Sequence, residues 1–110
     1  MTTSRLLLSA LLLPILAVAR HNTDCDLSPG ALTEQFGVHI QHSCIDIGKK
    51  QKRCYYTYIP ECADSVTAVV YDIHGYGECP RSFSAYSGWY EKATEECFVV
   101  VWPTVSVDDR

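Results

Sequence analysis

The residues best placed to do chemistry are His74-Gly75-Tyr76-Gly77, where an apolar run stops at two glycines separated by one residue. Glycine lets the backbone turn sharply and approach a ligand closely. N–H groups gathered this way could hold the charged oxygen of a tetrahedral ester intermediate, so the four residues are a candidate oxyanion loop. The plainer reading is an ordinary glycine turn. His74 reads as a buried, hydrogen-bonded structural residue rather than a catalytic base. Ser87, before Gly88-Trp89, reads as a helix cap, a common place for serine. Asp72, inside the apolar run, reads as a structural contact.

Sulfur and imidazole are the other reactive types. The six cysteines are Cys25, Cys44, Cys54, Cys62, Cys79 and Cys97, and His39, His42 and Cys44 form a loose H-x-x-H-x-C cluster. Zinc uses these ligand types, but no C-x-x-C accompanies them. An even cysteine count in a short exported chain reads instead as a disulfide framework, with 15 possible pairings. The expectation is disulfides, with no metal and no cofactor.

Export is expected from the first residues. A short start with Arg5 as its only charge leads into an apolar run from Leu6 to Ala19 that ends Ala17-Val18-Ala19. That order is the signature of a secretory leader cleaved after Ala19. A bilayer span needs about 20 apolar residues, and this run is shorter and interrupted by Pro14. The expected localisation is therefore secreted, in an oxidising compartment, with no membrane attachment after cleavage. The sole asparagine, Asn22, precedes Thr23-Asp24 and forms no glycosylation sequon.

Without residues 1–19 the chain keeps 91 of its 110 residues, and 8 of its 9 Lys and Arg against all 13 Asp and Glu. This is one small domain at most. Its acidic balance argues against nucleic-acid or anionic-membrane partners, which need a basic face. The basic cluster Lys49, Lys50, Lys52 and Arg53 reads as a solvated turn.

The elements that must position these residues follow from spacing. Pro29-Gly30 marks a turn, and Ala31 to Phe36 offers one helical turn. Residues 42–59 read as an antiparallel hairpin about the polar stretch Gly48 to Gln51, its second strand stopping at Pro60. Thr67–Ile73 and Phe98–Trp102 are nearly continuous in apolar character, which suits strands buried on both faces of a parallel sheet. Between them Phe83, Tyr86, Tyr90, Ala93 and Cys97 recur at helical steps, with the regular helix expected from near Ser87 or Gly88. Strand, helix and strand make a right-handed βαβ unit.

In order along the chain stand Arg53-Cys54-Tyr55-Tyr56-Thr57-Tyr58-Ile59-Pro60, Val69 through Gly77, Ser87-Gly88-Trp89 and Phe98-Val99-Val100-Val101-Trp102-Pro103. Together they resemble the start of the secreted polyhydroxybutyrate depolymerase and feruloyl esterase family of α/β-hydrolases, over about residues 50–104. The resemblance implies an α/β fold with a partial hydrolase sheet, occupying residues 42–110 after an irregular segment at 20–41. It implies serine carboxylic-ester hydrolysis, with Tyr76 near the oxyanion position.

The family pattern also requires a G-x-S-x-G nucleophile elbow, then an acid and a histidine, and no G-x-S-x-G occurs here. The chain is thus expected to be an inactive amino-terminal part, truncated before the elbow. An ester would be its partner only if the full domain exists, and Phe98–Trp102 would be left as an exposed edge.

In the implied sheet the second strand lies antiparallel to the fourth, which brings Cys62 to Cys97, while Cys44 faces Cys54 across the hairpin. A Cys79–Cys97 bond is excluded, since nine helical residues span about 14 Å and a disulfide needs Cα atoms within about 7 Å. Cys25 and Cys79 are left to pair with each other or with partners absent from this chain. A second function, from another class, is a small disulfide-rich secreted binding or interaction protein, supported by the cysteine density.

Overall fold

The computed structural model describes residues 25–65 and 67–104, so the expected leader and its cleavage site lie outside the described residues. Among these, no helix is long and apolar enough to cross a membrane. The fold is mixed α/β: a four-stranded sheet with three short helices.

Helix α1 covers Ala31–Phe36, following the Pro29-Gly30 turn. It stops at Gly37, whose positive φ of 70° lets its N–H close on the Thr33 carbonyl at 2.9 Å. Only glycine takes that conformation without a Cβ penalty. Strands β1 (Gln41–Gly48) and β2 (Gln51–Tyr58) then form an antiparallel hairpin.

Only Lys49 and Lys50 connect them, both with positive φ, at 51° and 60°. Two-residue hairpin loops require that of a type I′ turn, and Asn-Gly supplies it at far lower cost than two long side chains. A Lys49→Asn/Lys50→Gly chain should therefore be more stable by about 1 kcal/mol. Chemical denaturation would register this as a higher midpoint with unchanged slope.

Strand β3 (Val69–Tyr71) is shorter than the apolar run containing it, and β4 covers Val99–Pro103. The sheet order is β1-β2-β4-β3, with β4 antiparallel to β2 and parallel to β3. This corrects the expectation of an exposed β4 edge. β4 is interior with both sides paired, so the most continuously apolar strand takes the most sheltered place, and β1 and β3 are the edges.

The crossover also differs from expectation. It contains two helices, α2 (Pro80–Ser87) and α3 (Trp89–Glu96), separated by Gly88 at φ 79°. Pro80 opens α2 at a position where its missing N–H costs nothing, and the Ser82 hydroxyl accepts the Cys79 N–H at 3.3 Å. Ser87 is consequently the last residue of α2, not the cap of a following helix. The break also splits the apolar stripe. Ala93 is buried and Tyr90 stacks on Phe36 at 4.2 Å, whereas Tyr86 is exposed.

The core forms where α1 and α3 meet one face of the sheet: Leu32, Ile40, Tyr56, Tyr58, Ala93, Val100 and Trp102 are buried together with Ala31. The Tyr56 hydroxyl donates to the Ser28 carbonyl at 2.8 Å. Burial, with nearby Asp26 adding to it, pushes the Tyr56 phenol up to about 12. The Tyr58 hydroxyl meets that of Thr94 at 2.9 Å.

Burial on both faces, expected for the two apolar runs, does not hold. Val69, Tyr71 and Ile73 are 49, 66 and 62 % exposed. Alternation assigns them to the face opposite Val100 and Trp102, whereas α1 and α3 bury their apolar residues against the Val100 side.

Candidate functional site

Past β3 the chain continues through Asp72, whose N–H donates to the Val101 carbonyl at 2.9 Å, and then enters the glycine loop. Asp72 is buried, and one of its carboxylate oxygens accepts both the Trp102 indole N–H at 2.8 Å and the Ser87 hydroxyl at 2.6 Å. Residues from just past β3, from α2 and from β4 thereby meet at one oxygen. A buried carboxylate is costly unless hydrogen-bonded, so the cluster fastens the end of α2 to the sheet. The Ser87 proton points at a carboxylate, which makes this hydroxyl a brace.

His74 is also buried, with Nδ1 3.0 Å from the Gly75 carbonyl oxygen, so Nδ1 carries the proton that makes this bond. Tyr76 is fully exposed, and Gly77 has a φ of 77°. The loop's Gly75 N–H is occupied: it donates to the Glu78 carboxylate at 3.0 Å, while the Glu78 N–H donates back to the Gly75 carbonyl at 3.2 Å. The Tyr86 hydroxyl donates to the other Glu78 oxygen. That hydroxyl first, and then the Gly75 N–H, holds the Glu78 carboxyl below the usual carboxylate range. The same bond raises the Tyr86 phenol. The loop therefore closes on its own side chains.

Glu78 did not stand out in the sequence, and Tyr86 did so only as one position of an apolar helical stripe. Their spacing of eight, across the start of α2, has meaning only once Pro80 is known to open a helix.

All six cysteines are bonded: Cys25–Cys79, Cys44–Cys54 and Cys62–Cys97, with Cα separations of 5.7, 4.0 and 5.4 Å. The first ties the segment before α1 to the start of α2, the second spans the hairpin, and the third joins the chain after β2 to the end of α3. Of the candidate zinc cluster, His42 and Cys44 come together with Cys54, their donor atoms within 4.8 Å of one another. His39 is not one of this group.

On the open sheet face lies a shallow pocket of about 440 Å³, lined by Ile45, Arg53, Tyr55, Tyr71, Val101 and Pro103 among others. Lys49 and Lys50 stand at the exposed hairpin tip, away from this lining. No known family, curated protein or solved structure matches this chain.

Proposed function

We propose that this chain is a secreted, disulfide-stapled interaction module that performs no ester chemistry of its own. The observation that carries this reading is the stapling itself. Three disulfides link the segment before α1, the hairpin, the chain after β2, and both ends of the crossover around a core of eight buried side chains among the described residues. A core this small gains a large part of its stability from such links. The acyl-chemistry candidates support the reading too, since Ser87 braces Asp72 and the Gly75 N–H is taken by Glu78. Export is part of the proposal and rests on the leader at residues 1–19.

A second reading is favoured by one specific observation. The order β1-β2-β4-β3, with β2 antiparallel to β4 and the glycine loop following β3, is the arrangement expected of the amino-terminal part of an α/β-hydrolase. On that reading the open face of Val69, Tyr71 and Ile73 awaits a further layer, and ester hydrolysis belongs to a longer protein.

One experiment separates the two. Secreted from a eukaryotic host, the chain should begin at Arg20, run as a monodisperse monomer, melt in one cooperative transition and leave p-nitrophenyl esters unhydrolysed. Aggregation, together with a G-x-S-x-G further along the same transcript, would move the assignment to the hydrolase part. An uncut Met1 terminus on exported material would remove the secretion step.

A further inference from the structure

His42, Cys44 and Cys54 lie on one face of the hairpin. His42 and Cys44 are two residues apart on β1, and Cys54 is the direct cross-strand partner of Cys44. Their nitrogen and sulfur donors lie within 4.8 Å of one another, and among the described residues no other cysteine pair belongs to such a group. The His42 ring sits 4.9 Å from that of Tyr56, its own cross-strand partner, which keeps the imidazole beside the sulfurs. While Cys44 and Cys54 are bonded, however, neither sulfur is a thiolate, and thiolates are what bind soft metals.

We propose that the Cys44–Cys54 disulfide masks a soft-metal site, which a thiol reductant opens and which His42 and the two thiolates then form for a Zn²⁺-class ion. In the first step two thiols of the reductant supply two electrons and two protons. The Cys44–Cys54 bond breaks to two thiols, and the reductant becomes a disulfide. In the second step the metal displaces both thiol protons to solvent, and the neutral imidazole adds its nitrogen, with no change in the metal's oxidation state.

Geometry favours the exchange. Tetrahedral zinc, with bonds of about 2.3 Å to sulfur and 2.0–2.1 Å to nitrogen, needs donors about 3.5–3.8 Å apart. The two sulfurs, at bonding distance in the disulfide, move apart toward that range when the bond opens; the His42 nitrogen lies within 4.8 Å of both, and the hairpin pairing keeps the two cysteines opposite each other. Cys44 is exposed, so an attacking thiolate can reach it. The fourth position is left for water. The site is independent of either reading of function above, because it uses neither the glycine loop nor the open sheet face.

The test is a Co²⁺ titration of the full chain after dithiothreitol treatment limited to opening Cys44–Cys54, as non-reducing peptide mapping verifies, and anaerobic removal of the reductant, following the thiolate-to-cobalt absorption. Reduced wild type should bind one more Co²⁺ than a Cys44→Ser/Cys54→Ser chain treated identically, and the oxidised wild type should give no such band. His42→Ala should weaken that extra site at least about tenfold, since even the loss of a group supporting a metal ligand costs 10- to 100-fold. Should the double variant not fold, His42→Ala, which retains all six cysteines, decides alone. Equal stoichiometry in wild type and double variant, or unchanged affinity in His42→Ala, overturns the proposal.

Discussion

A chain carrying Cys25→Ser and Cys79→Ser should lose about 4 kcal/mol of folding stability, the largest effect expected of any of the three disulfides. The bond closes a sequence separation of 54, against 35 for Cys62–Cys97 and 10 for Cys44–Cys54. The entropy removed from the unfolded chain grows with loop length, to about 3 kcal/mol for the hairpin bond and about 4 for the longest. Little else would replace the link. The Arg81–Asp26 ion pair beside it, at 3.3 Å, is about one-third exposed on each side, and solvent screens such pairs to little net effect. Because small domains have only about 5–15 kcal/mol in total, the variant should sit close to its unfolding threshold. Guanidinium denaturation without reductant measures the difference. A loss under about 1 kcal/mol would mean that α1 is held by packing alone.

Trp102→Ala should be comparably severe, at about 4 kcal/mol, which is typical of removing a fully buried aromatic side chain. Trp102 is 0 % exposed, and Phe36 stacks against it at 5.9 Å. Its indole N–H also supplies one of two side-chain donors to the Asp72 carboxylate. Trp102→Phe separates these contributions. It retains most of the apolar bulk but deletes the N–H, so it should cost about 1–3 kcal/mol, the range for a lost bond to a buried group. A phenylalanine variant as unstable as the alanine one would show that the hydrogen bond, not the packing, dominates. Near-wild-type stability in Trp102→Ala would remove Trp102 from the core.

Much of the local structure was legible in the sequence. Ile45 and Ile47 alternate with polar neighbours, Gly48 to Gln51 is polar, and Pro60 ends the following run, so the hairpin's determinants all lie within twenty residues of one another. Pro29-Gly30 before Ala31–Phe36 marked α1 in the same way, because capping and turn chemistry act over one or two turns of chain. The buried, structural character of Asp72 and His74 could be read from their position at the end of an apolar run. What read less well was the crossover. Periodicity ran straight through Gly88, whereas Cys79-Pro80 with Ser82 three residues on was the better marker of where a helix starts.

The sequence by itself therefore determined the short-range elements and the supply of bonding partners: a hairpin with opposed cysteines, a helical turn after Pro29-Gly30, a helix after Gly88, and six sulfurs in an even count. Tertiary structure alone decided how they were used. It placed β4 in the middle of the sheet, left Val69, Tyr71 and Ile73 on an open face, joined Cys25 to Cys79, and turned Glu78 and Tyr86 onto the glycine loop. The physical reason is common to all four. Periodicity reports which side of an element is apolar, but not which other element will cover it or how far along the chain that partner lies. Ser87 illustrates the limit. Its hydroxyl read as a helix cap until Asp72, fifteen residues away, came within 2.6 Å and made it a brace.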